Sequence, residues 1–112
     1  MGLLDLHEAN FVELGNVCTA TDSNLSKITQ HRRFISHFGF HPRVVGAAWE
    51  LLQREKRLRN GCKTKHLLMV FCYVKNKCTE SQAHSRFKIH EDTHREWKDY
   101  LLRFIKSLKL VS

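Results

Sequence analysis

Eight consecutive apolar residues, Leu67-Leu68-Met69-Val70-Phe71-Cys72-Tyr73-Val74, constrain this chain more than any other segment. A run that is apolar on every face has no side to show to water, so the rest of the chain must enclose it. Pattern alone fits a buried helix or a buried strand. Length and the helical character of its neighbours favour the helix. Lys75-Asn76-Lys77 follows and places cations where a helix C-terminus welcomes them. The run is far below the roughly 18 apolar residues of a membrane span, and no other window approaches that length.

The flanking segments read as helices that supply the enclosure. Leu3, Leu4, Leu6, Phe11, Val12 and Leu14 predict an amphipathic N-terminal helix, with Gly15-Asn16 as its stop. Thr19 to Asn24 is a polar connector. Residues 25–38 place Leu25, Ile28, Ile35 and Phe38 near one helical face, and Gly39 ends the helix. Pro42 fits the first turn of a third helix, predicted to run to about Leu58 with Val44, Val45, Ala48, Trp49, Leu51 and Leu52 as its apolar stripe. Asn60-Gly61 breaks the pattern. Thr79 with Gln82 three residues on resembles a capped helix start, Ala83 and Phe87 face inward, and Lys88-Ile89-His90 is a turn. A last helix spans about Glu91 to Leu108, its inward face drawn from His94, Trp97, Leu101, Phe104, Ile105 and Leu108. There is no internal repeat. The expectation is one all-α domain over 1–112, a bundle of four to five helices with a C-terminal helix-turn-helix. Within it, 1–24 form the N-terminal helix and connector, and 25–112 form the core.

The 112 residues carry a formal net charge of +8, and its distribution is uneven. Residues 1–53 hold four Lys/Arg against five Asp/Glu, a net −1, whereas residues 54–112 hold fifteen against six, a net +9. A half so cationic suits a polyanionic partner. Met1-Gly2-Leu3-Leu4-Asp5 lacks the basic start of a signal or transit peptide. Leu6 stands where myristoylation wants Ser or Thr. Cys18, Cys62, Cys72 and Cys78 have no CxxC spacing and are expected to be reduced thiols.

The stretch Thr79–Trp97 has the pattern of a helix-turn-helix. Small Ala83 lets two helices cross closely, Phe87 and Ile89 plug the corner, and Trp97 anchors the second helix. The first turn of that helix then projects outward. Arg95 and Lys98 suit phosphate or guanine contacts, with Thr93 adding a hydrogen bond. Glu91 and Asp92 stabilise the helix start but repel phosphate. A second basic group surrounds the Asn60-Gly61 break: Arg54, Lys56, Arg57, Arg59, Lys63 and Lys65. Of these, Arg54, Arg57, Arg59, Lys63 and Lys65 are the expected phosphate contacts.

Three pieces in order carry a family resemblance. They are Phe34-Ile35-Ser36-His37-Phe38-Gly39-Phe40-His41-Pro42-Arg43-Val44-Val45 with Trp49-Glu50-Leu51-Leu52; Lys65-His66-Leu67-Leu68 with Tyr73-Val74-Lys75 and Thr79-Glu80; and Thr93-His94-Arg95-Glu96-Trp97. Over residues 34–110 the chain resembles the N-terminal helical region of eukaryotic DDE-type transposases of the Harbinger or IS5-like kind. The resemblance implies a DNA-binding domain that recognises transposon ends, and with the charge it implies a nuclear location. In such transposases an RNase-H-like catalytic domain with three acidic metal ligands follows. This chain reaches Ser112 where that domain would begin. The expectation is therefore a non-enzymatic domain that is isolated, truncated or domesticated. Glu96 stands where the family pattern has a basic residue, so DNA contact is not carried over there.

Other chemistry ranks lower. Cys62, Cys72 and Cys78 with His66 or His84 lack zinc-module spacing, and Cys72 in an apolar helix reads as a small hydrophobe. His90 and His94 sit at i and i+4 but lack a carboxylate partner. No nucleophile elbow accompanies any Cys/His pair. Asp92, Glu96 and Asp99 read as surface charges. Trp49 and Trp97 read as core anchors rather than base-stacking platforms. No metal, cofactor or small-molecule substrate is expected, and no membrane partner. The rival reading is an adaptor that binds protein or RNA within a larger assembly.

Overall fold

A computed structural model describes residues 3–55, 61–77, 85, 87–89 and 91–108, with side chains described from residue 6 and, in the last helix, from residue 95. Among these residues the fold is all-α. Its helices are α1 (Leu3–Thr19), α2 (Lys27–Phe38), α3 (Pro42–Arg54), α4 (Thr64–Asn76) and α5 (Glu91–Ser107). None is long and apolar enough to cross a membrane.

The apolar run is a helix at the centre of the bundle. His66, Leu67, Leu68, Met69, Val70, Phe71 and Cys72 are all buried, so α4 hides every face over two turns. It packs against α1, α2, α3 and α5. At its C-terminus Lys77 adopts the left-handed conformation, φ 51°, and donates its N–H to Tyr73 O at 2.7 Å. Asn76 Nδ2 donates to His37 O at 2.8 Å and ties that end to α2.

α1 and α3 form the most extensive helix pair. Phe11 meets Trp49 edge-on, ring centroids 6.4 Å apart. Along α3, Val45, Ala48, Trp49 and Leu52 are buried at i, i+3, i+4 and i+7, the spacing of one helical stripe. Phe11 belongs to the same core cluster as α4, so α1 is built into the core. α3 is described to Arg54; its expected extension toward Leu58 falls outside the described residues.

Two sequence expectations are corrected. The first concerns α1, which continues through Gly15-Asn16 to Thr19. A Cβ built on Gly15 lies 2.7 Å from Phe34 Cδ2, so the glycine is there for close approach and not as a stop. The second concerns the buried face of α2. Ile28 is 66% exposed and Ile35 37%, while Phe34 and Phe38 are inside. The aromatic pair at i and i+4 takes the slot opened by Gly15, and its rings lie 4.6 Å apart by centroid. Rings bury more apolar area than β-branched residues, so they set the helix rotation. The ends of α2 follow the sequence closely. Ser26 Oγ accepts from Thr29 N–H at 3.2 Å, one residue after the expected start at Leu25. Gly39 closes the helix at φ 85°.

α5 buries Trp97, Leu101, Phe104 and Ile105 against α4 and the rest of the core, and Leu108 packs alongside. Ahead of it, Phe87 and Ile89 are buried on either side of exposed Lys88, whose φ is 56°. Phe87 reaches Phe38 at 6.4 Å. Thr79, Gln82 and Ala83 lie outside the described residues, so the first helix of the expected corner is represented by Ser85 and Phe87 alone.

Replacing Gly15 by Ala sets two effects against each other. Helix propensity favours Ala by about 1 kcal/mol. The clash with a buried phenyl ring costs about 1–3 kcal/mol. The expected outcome is a net loss of stability with a lower Tm in thermal unfolding, and the double variant Gly15→Ala/Phe34→Leu recovers part of it.

Candidate nucleic-acid interface

The N-terminal turn of α4 carries two of the cationic residues the sequence singled out, Lys63 and Lys65. Lys63 is its N-cap, in extended conformation. Two hydrogen bonds hold this turn. Lys63 N–H donates to His66 Nδ1 at 2.8 Å, and His66 N–H donates to Lys63 O at 3.0 Å. His66 therefore fills the place that Glu or Gln takes in a capping box. Because Nδ1 accepts, the ring proton of the neutral imidazole sits on Nε2. The imidazole stacks on Trp97 of α5, centroids 5.0 Å apart and planes 28° from parallel. One aromatic contact thus fixes the start of α4 against α5.

Burial and then the neighbouring Lys65 and Lys63 charges push the His66 pKa down to about 4. The ring is neutral at physiological pH. It leaves the lysines as the charges of this turn.

Lys63 is exposed, and Lys65 reaches across to donate from Nζ to Lys88 O at 3.3 Å. Lys63, Lys65 and the backbone of Lys88 therefore lie together at one end of the bundle. Lys65 and Lys88 also border a groove of about 490 Å³ with Leu14, Val17, Cys18, Ser85 and Phe87, and none of these is a carboxylate. The unpaired N–H groups of a helix start carry partial positive charge, which adds to the lysines. Lys88 was not among the expected contacts. A lone lysine in a short turn gives no sequence signal of its own; only the fold puts it beside Lys65.

The remaining expected residues divide. Arg54, at the end of α3, is exposed and pairs with Glu50 at 3.6 Å. Arg95 is exposed on α5. Lys98 is half-buried, with Nζ 4.8 Å above the Tyr73 ring, so its charge also serves as a clasp between α5 and α4. Arg57, Arg59 and Lys56 lie outside the described residues, as do the side chains of Glu91, Asp92 and Thr93.

The lower-ranked chemistry can be placed as well. Trp49 and Trp97 are buried core anchors. Cys72 is buried, and burial pushes the Cys62 thiol up to about 11, away from the thiolate that nucleophiles and metal ligands require. Cys78, His84 and His90 lie outside the described residues, as does the side chain of His94.

Comparison with known proteins finds no matching family model, no matching curated protein and no matching solved structure.

His66 makes stability pH-dependent in a definite direction. Its folded-state pKa lies below its ordinary value of 6.5, so the unfolded chain binds the proton more readily. The stabilisation is complete above pH 6.5 and is lost as pH falls through about 4. A shift of this size corresponds to about 3.4 kcal/mol, which solvent screening reduces to on the order of 2–3 kcal/mol. Urea unfolding across this range should show a steeper acid loss for the wild type than for His66→Gln.

Proposed function

We propose that this domain binds duplex DNA through its phosphate backbone, with the N-terminal turn of α4 as the principal contact. The observation that carries the reading is the placement of Lys63, Lys65 and the backbone of Lys88 together at that turn, joined by the Lys65 Nζ to Lys88 O bond. The chain is strongly basic overall. Phosphate contact needs a held group of cations and backbone donors and carries no base readout.

In this reading α5 is the second helix of a helix-turn-helix corner, and the buried Phe87 and Ile89 are its plug. Arg95 and Lys98, supported by Thr93, add groove-side contacts, and Arg54, Arg57 and Arg59 extend the grip on phosphate. The origin we propose is a Harbinger- or IS5-like transposase, with the DNA-binding role kept, no catalytic activity in this segment and a nuclear location. A second reading has one observation in its favour. Val17 on α1 is 76% exposed, and on α2 Ile28 and Ile35 lie a heptad apart and exposed, which is apolar surface fit for a protein partner.

Fluorescence anisotropy with random duplex DNA, single-stranded DNA and duplex RNA, over a salt series, tests the proposal. Duplex DNA affinity should fall steeply with salt, with a log–log slope of roughly −0.9 per phosphate contact. Lys63→Glu/Lys65→Glu should weaken binding about uniformly across sequences and reduce that slope by about two. A flat salt response, or binding unchanged in the double variant, contradicts the proposal.

A further inference from the structure

Away from the lysine cluster, on the acidic half of the chain, three metal-ligating side chains converge from three separate elements. Glu8 comes from α1, His31 from α2 and His41 from the turn that opens α3. Their ligand atoms all lie within 4.8 Å of one another. We infer that Glu8, His31 and His41 form a zinc-binding site.

The geometry argues for an ion more than for direct pairing. Glu8 Oε1 is 3.9 Å from His31 Nε2 and 4.0 Å from His41 Nδ1. Both distances are too long for hydrogen bonds. Zinc bonds of about 2.0–2.2 Å place neighbouring ligand atoms roughly 3.4 Å apart in a regular tetrahedron, so closing the site draws Glu8 about half an ångström toward each histidine and the two histidine nitrogens, within 4.8 Å of one another, together by up to about 1.4 Å. The two imidazoles face each other edge-on at 4.7 Å between centroids. Burial and the neighbouring His41 hold His31 below its ordinary pKa, so its lone pair is available at neutral pH.

The surroundings fit a metal's outer shell. Glu8 Oε2 accepts from Arg43 Nη1 at 3.3 Å, which orients the carboxylate and leaves Oε1 to the histidines. The backbones of α1 and α3 pass close here, because a Cβ on Gly46 would stand 3.0 Å from His7 Cβ. Zinc at His41 Nδ1 displaces one bond, the 3.1 Å contact from Arg43 N–H. That donor belongs to the first helical turn, where water can take its place. Two imidazoles with one carboxylate select zinc over the oxygen-seeking calcium and magnesium. Glu8 and His31 also line a groove of about 540 Å³, so the fourth coordination position falls to water. The ion would pin α1, α2 and the start of α3 together.

The test uses the untagged full chain with its thiols kept reduced. Zinc titration by calorimetry should give one equivalent per chain, and cobalt(II) substitution should give the visible bands of a four-coordinate nitrogen–oxygen site. Zinc should raise the Tm of the wild type. His31→Gln and Glu8→Gln, with helical content verified by circular dichroism, should each lose at least about tenfold in affinity. His7→Gln and Cys18→Ser/Cys62→Ser should bind as the wild type does. Failure to bind zinc overturns the inference. So does zinc binding that survives His31→Gln and disappears in the double cysteine variant, because the ion then sits on thiols.

Discussion

The fold depends on the complete enclosure of α4. With every side chain from His66 to Cys72 buried, this helix has no face to offer water, and the other helices are arranged by the need to cover it. α2 and α5 lie directly on it, and α1 and α3, joined most extensively to each other, complete the cover. Isolated, a helix of this composition has no stable place in water. The amphipathic helices are individually marginal too, and their apolar stripes become useful only once α4 is there to receive them.

That enclosure also creates the proposed interface. A fully buried helix can present only its ends. At its C-terminus the Lys77 backbone N–H closes the helix and Asn76 binds it to α2. At its N-terminus the backbone is held by the His66 hydrogen bonds and by the stack on Trp97, while the lysines beside them reach outward. A neutral histidine suits this place. A glutamate there would satisfy the same backbone N–H but would cancel one of the positive charges. A backbone held in this way, with lysines beside it, favours phosphate over any ligand requiring a shaped cavity.

Much of the fold was legible from sequence, because long apolar stripes at helical spacing have few other solutions. The central helix, the stop at Gly39, the proline at the start of α3 and the inward face of α5 were all written locally. The errors share one cause. Gly15 looks like a stop from its own neighbours, and Ile28 and Ile35 look like a core face. Both readings change only when Phe34 of another helix occupies the space above Gly15. The sites divide in the same way. Lys63 and Lys65 announced themselves through charge density beside a chain break. Lys88 became a member only through the turn that carries it to Lys65. Glu8, His31 and His41 are widely separated in sequence and match no short motif, so a search by local spacing passes over them and turns to cysteines, of which Cys72 is buried in the core.

The adaptor reading and the DNA reading centre on different surfaces of the same bundle: the exposed Ile28 and Ile35 of α2 for one, the lysine end of α4 for the other, with Val17 of α1 in the groove beside the lysines. Backbone amide chemical shifts, followed by NMR as random duplex DNA is added, separate them most directly. Phosphate binding at the lysine end gives perturbations concentrated at Gly61–Lys65, at Lys88 and along the early turns of α5, with α2 around Ile28 and Ile35 left unchanged. Shifts confined to α1 and α2, or spread evenly over the molecule, contradict it.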